Sequence, residues 1–274
     1  MGNLEYSFDN ILKSYIDTGI QLPEHQVNLI STNKNMVNTY IRKRAIVLKK
    51  TSFDNTLLSD KELELFRKYD KKLYDDYINY ISNLKYLYLG RRELTSLPDW
   101  IGNLTNLKVL YLENNNLTSL PDSIGNMTNL KTLFLRNNKL TSLPYSIGNI
   151  TNLEELYLDF NQLTSLPESI GNLKNLKELD LGMNKLESLP ESIGNLTNLK
   201  ELDLRRNKLT SLPDSIGNLT NLEKLYLYHN KLTSLPESIG NLTNLKWLYL
   251  SGNPISDKEL ERIKKLLPNT DVYF

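Results

Sequence analysis

The feature that most constrains this chain is a period. Leu84, Leu107, Leu130, Leu153, Leu176, Leu199, Leu222 and Leu245 recur 23 residues apart, eight copies without insertion or deletion. A fixed period of this length belongs to repeat architectures, in which each copy is one supersecondary unit and neighbours stack into a solenoid. Each copy is framed as Leu-x-x-Leu-x-Leu-x-x-Asn-x-Leu. The alternation around Leu110 and Leu112 has the period of two of a strand, so these side chains point inward while Val109, Tyr111 and Glu113 point outward. The rest of the copy carries Pro121 and Gly125 and cannot continue a sheet, yet it supplies Leu120, Ile124 and Met127 as further apolar anchors. It must return the chain to the next strand.

A lone copy has too few apolar anchors to offset the ordering of its own backbone. Stacking closes the deficit, because each leucine layer packs on the next and neighbouring strands pair in parallel. Asn115, Asn138, Asn161, Asn184, Asn207, Asn230 and Asn253 recur where the chain leaves the strand. A side-chain amide offers donors and an acceptor to inward backbone groups, so these residues read as a structural ladder. The first copy has Arg92 instead, as edge repeats often do.

With its Leu-Thr-Ser-Leu-Pro-x-Ser-Ile-Gly-Asn-Leu-Thr-Asn continuation, the frame resembles the leucine-rich repeat family. The Leu-Pro-x-x-Ile-Gly-x-Leu segment is similar to the 23-residue class of intracellular Ras-group-related repeat proteins and their bacterial relatives. The resemblance covers residues 84–253. It implies an α/β solenoid, a horseshoe with a parallel sheet on its concave side, and a usual role in binding proteins. The organisation expected is a helical N-terminal region and cap over residues 1–82, eight repeats over 83–253, and a C-terminal cap of helix plus short strand over 254–274.

In the first region Leu4, Phe8, Ile11, Leu12, Tyr15 and Ile16 share one helical face, and Pro23 opens a second short helix. Residues 34–53 hold six cations and no acid. As a helix this stretch is basic and amphipathic, suited to anionic lipid, RNA or an acidic protein, but without aromatic interleaving it suits better the solvated outer face of a small bundle. Its Tyr-Ile-Arg-Lys-Arg-Ala-Ile-Val-Leu run also suits a strand. Ser59 with Glu62 forms a capping box, and Leu63, Phe66, Leu73, Tyr77 and Ile81 carry a stripe toward the repeats. Tyr77 and Ile78 align one period back from Trp100 and Ile101, so the helix ends as half a degenerate repeat that caps the first leucine layer. At the other end Ser256 and Glu259 open a helix, Leu260, Ile263, Leu266 and Leu267 face inward, Pro268 stops it, and residues 271–274 add a strand.

The outward strand positions form columns. The central one reads Tyr88, Tyr111, Phe134, Tyr157, Asp180, Asp203, Tyr226, Tyr249, and the one before it Tyr86, Val109, Thr132, Glu155, Glu178, Glu201, Lys224, Trp247. Aromatic side chains anchor interfaces, and they also stack across strands for stability alone. Both readings stand. Glu178 beside Glu201 and Asp180 beside Asp203 place like charges one strand apart, either neutralised by Lys177, Lys200, Arg205 and Arg206 or open to a partner's lysine or arginine.

Other chemistry is thinly represented. There is no cysteine, so no disulfide, thiolate site or cysteine nucleophile, and the histidines are His25 and His229 alone. Paired carboxylates raise glycoside hydrolysis, but an open sheet excludes no water and gives no reason for two pKa values to diverge. A net charge of +1 carries no polyanion bias. Tyr6 stands where myristoylation wants Ser or Thr, and the start has no secretory pattern. Seven Asn-x-Ser/Thr sequons follow from the repetition itself. The expectation is a cytoplasmic, monomeric, non-enzymatic module without cofactor or metal. It binds a protein through Tyr88, Tyr111, Phe134, Tyr157, Glu178, Asp180, Glu201, Asp203, Tyr226, Trp247 and Tyr249. The alternatives are a scaffold whose Arg42, Lys43, Arg44, Lys49 and Lys50 touch anionic membrane or RNA, and a carbohydrate binder on the aromatic ladder.

Overall fold

The structure, a computed structural model, describes residues 60–274. The expectations for the two first helices, for Arg42, Lys43, Arg44, Lys49 and Lys50, and for Ser59 of the capping box lie outside the described residues. The chain divides into two compact units, one whose described residues are 60–84 and 98–100, the other formed by 85–97 and 101–274.

The first unit contains α1 (Asp60–Tyr69) and α2 (Lys71–Ser82). Asp70 separates them and caps α2, its side chain accepting from the Leu73 amide at 3.0 Å. Phe66, Leu73, Tyr77 and Ile81 are buried, as the apolar stripe requires. Tyr77 meets Trp100 edge to face at 5.8 Å, the two aromatics that the period sets 23 residues apart.

The second unit is a single nine-stranded parallel sheet in sequential order, β1 (Tyr86–Tyr88) to β9 (Asp271–Tyr273). Through β8 (Trp247–Tyr249) the partners are 23 residues apart, Leu110 against Leu133 and so on, so the leucines of successive copies make continuous buried columns. Each strand is only three residues long, and each of β1 to β8 but the last is followed by a 3-10 segment, from Asp99–Asn103 to Glu237–Asn241. These segments line the face opposite the sheet, with Pro at their entry in the extended conformation.

The asparagine ladder satisfies three backbone groups at once. Asn138 donates to the carbonyls of Leu112 (2.9 Å) and Leu135 (3.0 Å) and accepts from the Leu117 amide (3.0 Å). Its equivalents in the other copies do the same, and Asn115 serves the Arg92 copy by accepting from the amides of Arg92 and Leu94. A second ladder lies at the Asn of Thr-Asn-Leu: Asn129, Asn152, Asn175 and their successors each donate to a carbonyl 24 residues earlier, at 2.8–2.9 Å.

At the C-terminal end α3 (Asp257–Leu266) begins at Ser256, whose hydroxyl accepts from the Glu259 amide. Glu259 does not complete the capping box. Its carboxylate turns to the previous copy, accepting from the Leu235 amide at 3.0 Å and pairing with Arg262. Ile263 and Leu267 are buried and Leu260 and Leu266 half-buried, and Arg262 also reaches the Leu235 carbonyl and Glu237. The last turn of solenoid is thereby tied to its cap.

Candidate functional site: the concave sheet face

Because each of β1 to β8 is three residues with the middle one buried, the first and third side chains project from the concave face and form two columns in register. The third positions stack. Tyr88, Tyr111, Phe134 and Tyr157 lie ring on ring at 4.4, 4.8 and 4.8 Å, with planes within 12°. Tyr226, Tyr249 and Tyr273 form a second stack at 4.9 and 4.7 Å. Tyr273 belongs to the cap strand, and its alignment with Tyr249 was open to discovery in the alternation of Asp271-Val-Tyr-Phe274. Within each stack the ring faces cover one another, so the flat platform a sugar would need is largely occupied by neighbouring rings.

Between the stacks the column holds Asp180 and Asp203, which are direct partners in the register, as are Glu178 and Glu201. In the first column Trp247 stands between Lys224, whose ammonium lies 5.9 Å from the centre of its ring, and Asp271 of β9. A third column, which the strand pattern understated, continues past the strands and supplies Arg136, Asp159, Arg205 and Tyr228. Asp159 is 1% exposed. One of its oxygens makes no hydrogen bond, although Arg136 Nε lies 2.9 Å away; the contact is an ion pair without hydrogen-bond geometry.

The cations do not fall where their sequence neighbours suggested. Of the four expected to offset the acids, Arg205 does so, pairing with Asp203 at 3.2 Å while hydrogen-bonded to Tyr228. Lys177 instead joins Lys131 on Glu154, each at 2.6 Å. Lys200 stands in the field of Glu223, and Arg206 is an exposed residue at positive φ. Glu201 is met by Lys224 at 2.9 Å, one repeat on. Glu178 and Asp180 form no ion pair among the described residues. Glu178 accepts from the Tyr157 hydroxyl, and Asp180 accepts from the Gly182 amide at 2.9 Å.

The electrostatic result is that four carboxylates of the face, Asp159, Glu178, Asp180 and Asp203, hold protons above the usual range. Burial, with Asp180 next, pushes Asp203 up to about 7, and burial with Asp180 raises Asp159 to about 6. Burial also raises Glu178 and Asp180. Glu154, by contrast, is lowered to about 2 by hydrogen bonds from its two lysines. No group of His, Cys, Asp and Glu suited to a metal ion occurs among the described residues, and no described helix is long and apolar enough to cross a membrane.

Sequential parallel strands with an inward asparagine at the exits of β2 to β8 and 3-10 returns between copies define a leucine-rich repeat solenoid. The family model described as a leucine-rich repeat region matches residues 62–160 and 156–262, and the chain belongs to that family. Among solved structures, an internalin (InlF) from Listeria monocytogenes is 27% identical, with a TM-score of 0.59, over 80% of this chain and 65% of its own length. A leucine-rich repeat protein of Leptospira interrogans is 30% identical over 72% of this chain and 80% of its own, with a TM-score of 0.31. No curated protein matches the chain. Leucine-rich repeats are in general protein-interaction modules, their extended curved sheets serving as binding surfaces.

Proposed function

We propose that the protein is a non-catalytic binding module that takes a protein partner on its concave sheet face, along the two tyrosine-rich stacks and the carboxylates between them. The observation that carries this reading is the central column. Its rings are rigidly stacked, half-buried or exposed, and lie outside the leucine core, so they offer amphipathic contact area with little conformational entropy left to lose. The face is open and shallow, a geometry that fits a macromolecular surface better than a small molecule, which needs an enclosing pocket.

The test is affinity capture from the native cell with the full chain and two folded variants. One carries Tyr111→Ala with Tyr226→Ala on the concave face; the other carries Glu168→Gln with Glu191→Gln on the opposite one. A protein recovered by the parent chain and the second variant but lost from the first is the expected result. Recovery unaffected by the tyrosine changes overturns the assignment of the face.

A further inference from the structure

The aromatic column is interrupted at β5 (Glu178–Asp180) and β6 (Glu201–Asp203), where Asp180 and Asp203 stand in place of rings. Tyr157 and Tyr226 flank the interruption three strand spacings apart, about 14 Å at ~4.8 Å per strand, the room of two missing rings. Each ends its stack, so the ring face turned toward the gap has no aromatic neighbour. The floor of the gap is short of positive charge. Arg205 pairs with Asp203, Arg136 with Asp159 and Lys224 with Glu201; the two arginines act on Asp180 only through space, and Glu178 and Asp180 form no ion pair of their own, accepting hydrogen bonds from a tyrosine hydroxyl and a backbone amide.

We propose that this notch receives a cationic side chain, a guanidinium in preference to an ammonium, carried by a segment of the protein partner and seated over Glu178 and Asp180 against the Tyr157 ring. The inference rests on the concave-face reading above and names the chemistry of the partner. An aromatic face next to unpaired carboxylates suits a planar cation, because guanidinium stacks on the ring and forks to carboxylate oxygens at the same time. An ammonium gains the charge but not the stacking. A nucleic acid would meet like charge here, which sets the partner apart as a basic protein segment. The raised pKa values of Glu178 and Asp180 agree with carboxylates that a bound cation would relieve.

The experiment uses the full chain and three fluorescent peptides, Gly-Arg-Gly-Arg-Gly and its counterparts with lysine or with citrulline, the last keeping the planar shape without the charge. Binding is followed by anisotropy at physiological salt. The arginine peptide is expected to bind, the lysine peptide several-fold more weakly, and the citrulline peptide at least ten-fold more weakly. Glu178→Gln with Asp180→Asn should cost the arginine peptide at least ten-fold. Glu168→Gln with Glu191→Gln, which removes the same charge from the opposite face, should leave it unchanged. Equal losses in the two variants, or arginine and citrulline binding alike, overturn the inference. Partner capture separates the two readings: if a captured partner needs Tyr111 and Tyr226 but ignores the Glu178 and Asp180 changes, the face stands and the cation site falls. If the arginine peptide depends on Glu178 and Asp180 while capture ignores the tyrosines, the reverse holds.

Discussion

At Asp203 the repeat places a carboxylate that is only 6% exposed beside a second one, Asp180, in the same column of the sheet. Its amide-facing oxygen is well used, accepting from the Arg205 amide at 2.9 Å, yet burial and Asp180 still lift its pKa to about 7. The folded state therefore binds a proton that the unfolded chain, with an ordinary aspartate near ~3.9, has already released. Between those two values the folded state carries more protons, so stability falls as pH rises through the interval and the loss is complete above the folded pKa. Asp159, raised to about 6, acts in the same sense. Glu154 acts oppositely, since its lysine-lowered pKa of about 2 adds stability that is lost as pH falls below its ordinary range. That group, Glu154 with Lys131 and Lys177, is partly exposed and screened, so its share is small. The protein should melt at a lower temperature at pH 8 than at pH 5. Asp203→Asn, which keeps an oxygen for the Arg205 amide, should gain roughly 1–3 kcal/mol at pH 8 and little at pH 4. Denaturant titrations at the three pH values decide it: a native protein as stable at pH 8 as at pH 5, with no gain in the variant, contradicts the account. The like-charge pairs were legible from the period alone, because residues 23 apart become strand partners. The cations were not assigned by closeness in sequence, since adjacent residues diverge in direction; Lys131, Arg136, Lys224 and Lys246 each find their acid one repeat away.

The return segment is an element whose role as a connector was legible and whose packing was not. Its glycines are needed for close approach rather than for unusual backbone angles. A Cβ on Gly217 would stand 2.4 Å from the Ser238 carbonyl oxygen, and the same clash recurs at Gly125, Gly148, Gly171 and Gly194 against the serine of the following copy. The last of the series, Gly240, faces α3 instead, where the nearest atom to a Cβ is at 3.4 Å, an ordinary contact. One chemical change thus has two outcomes. Gly217→Ala must push backbone apart between copies and should cost about 2–4 kcal/mol, while Gly240→Ala should fall within about 0.5 kcal/mol of the parent. Equal costs in urea unfolding would show that helical propensity or chain entropy, rather than stacking distance, governs the segment. A second feature of the element escaped the strand-and-turn pattern: the residue before each ladder position is left-handed, from Arg91, ahead of Arg92, at φ 58° through Phe160 at 55° and His229 at 56° to Gly252 at 72°. Asn114 and Asn137 suit that conformation and bond to each other at 2.8 Å, but bulky residues occupy it in later copies, so side-chain type gave no uniform signal.

At the scale of the molecule, the second unit is a stack in which every copy buries its leucines against its neighbours, and the concave face is the surface left over when that requirement is met. The fold was readable because a strict period admits few architectures and the leucine frame fixes which side of each strand is inside. The site was readable as two columns, the central one broken by Asp180 and Asp203, but whether the rings on either side stack was not, since stacking depends on side-chain angles that the sequence pattern does not encode. The most direct test of the concave-face account is oxidative footprinting of tyrosines with and without the bound partner. Exposed Tyr86, Tyr88 and Tyr273 lie on the sheet, and Tyr145, 69% exposed, lies on a 3-10 segment of the opposite side as an internal control. Protection of the first three with Tyr145 unchanged is the predicted result. Protection of Tyr145, with the sheet tyrosines oxidised as in the free protein, would contradict it.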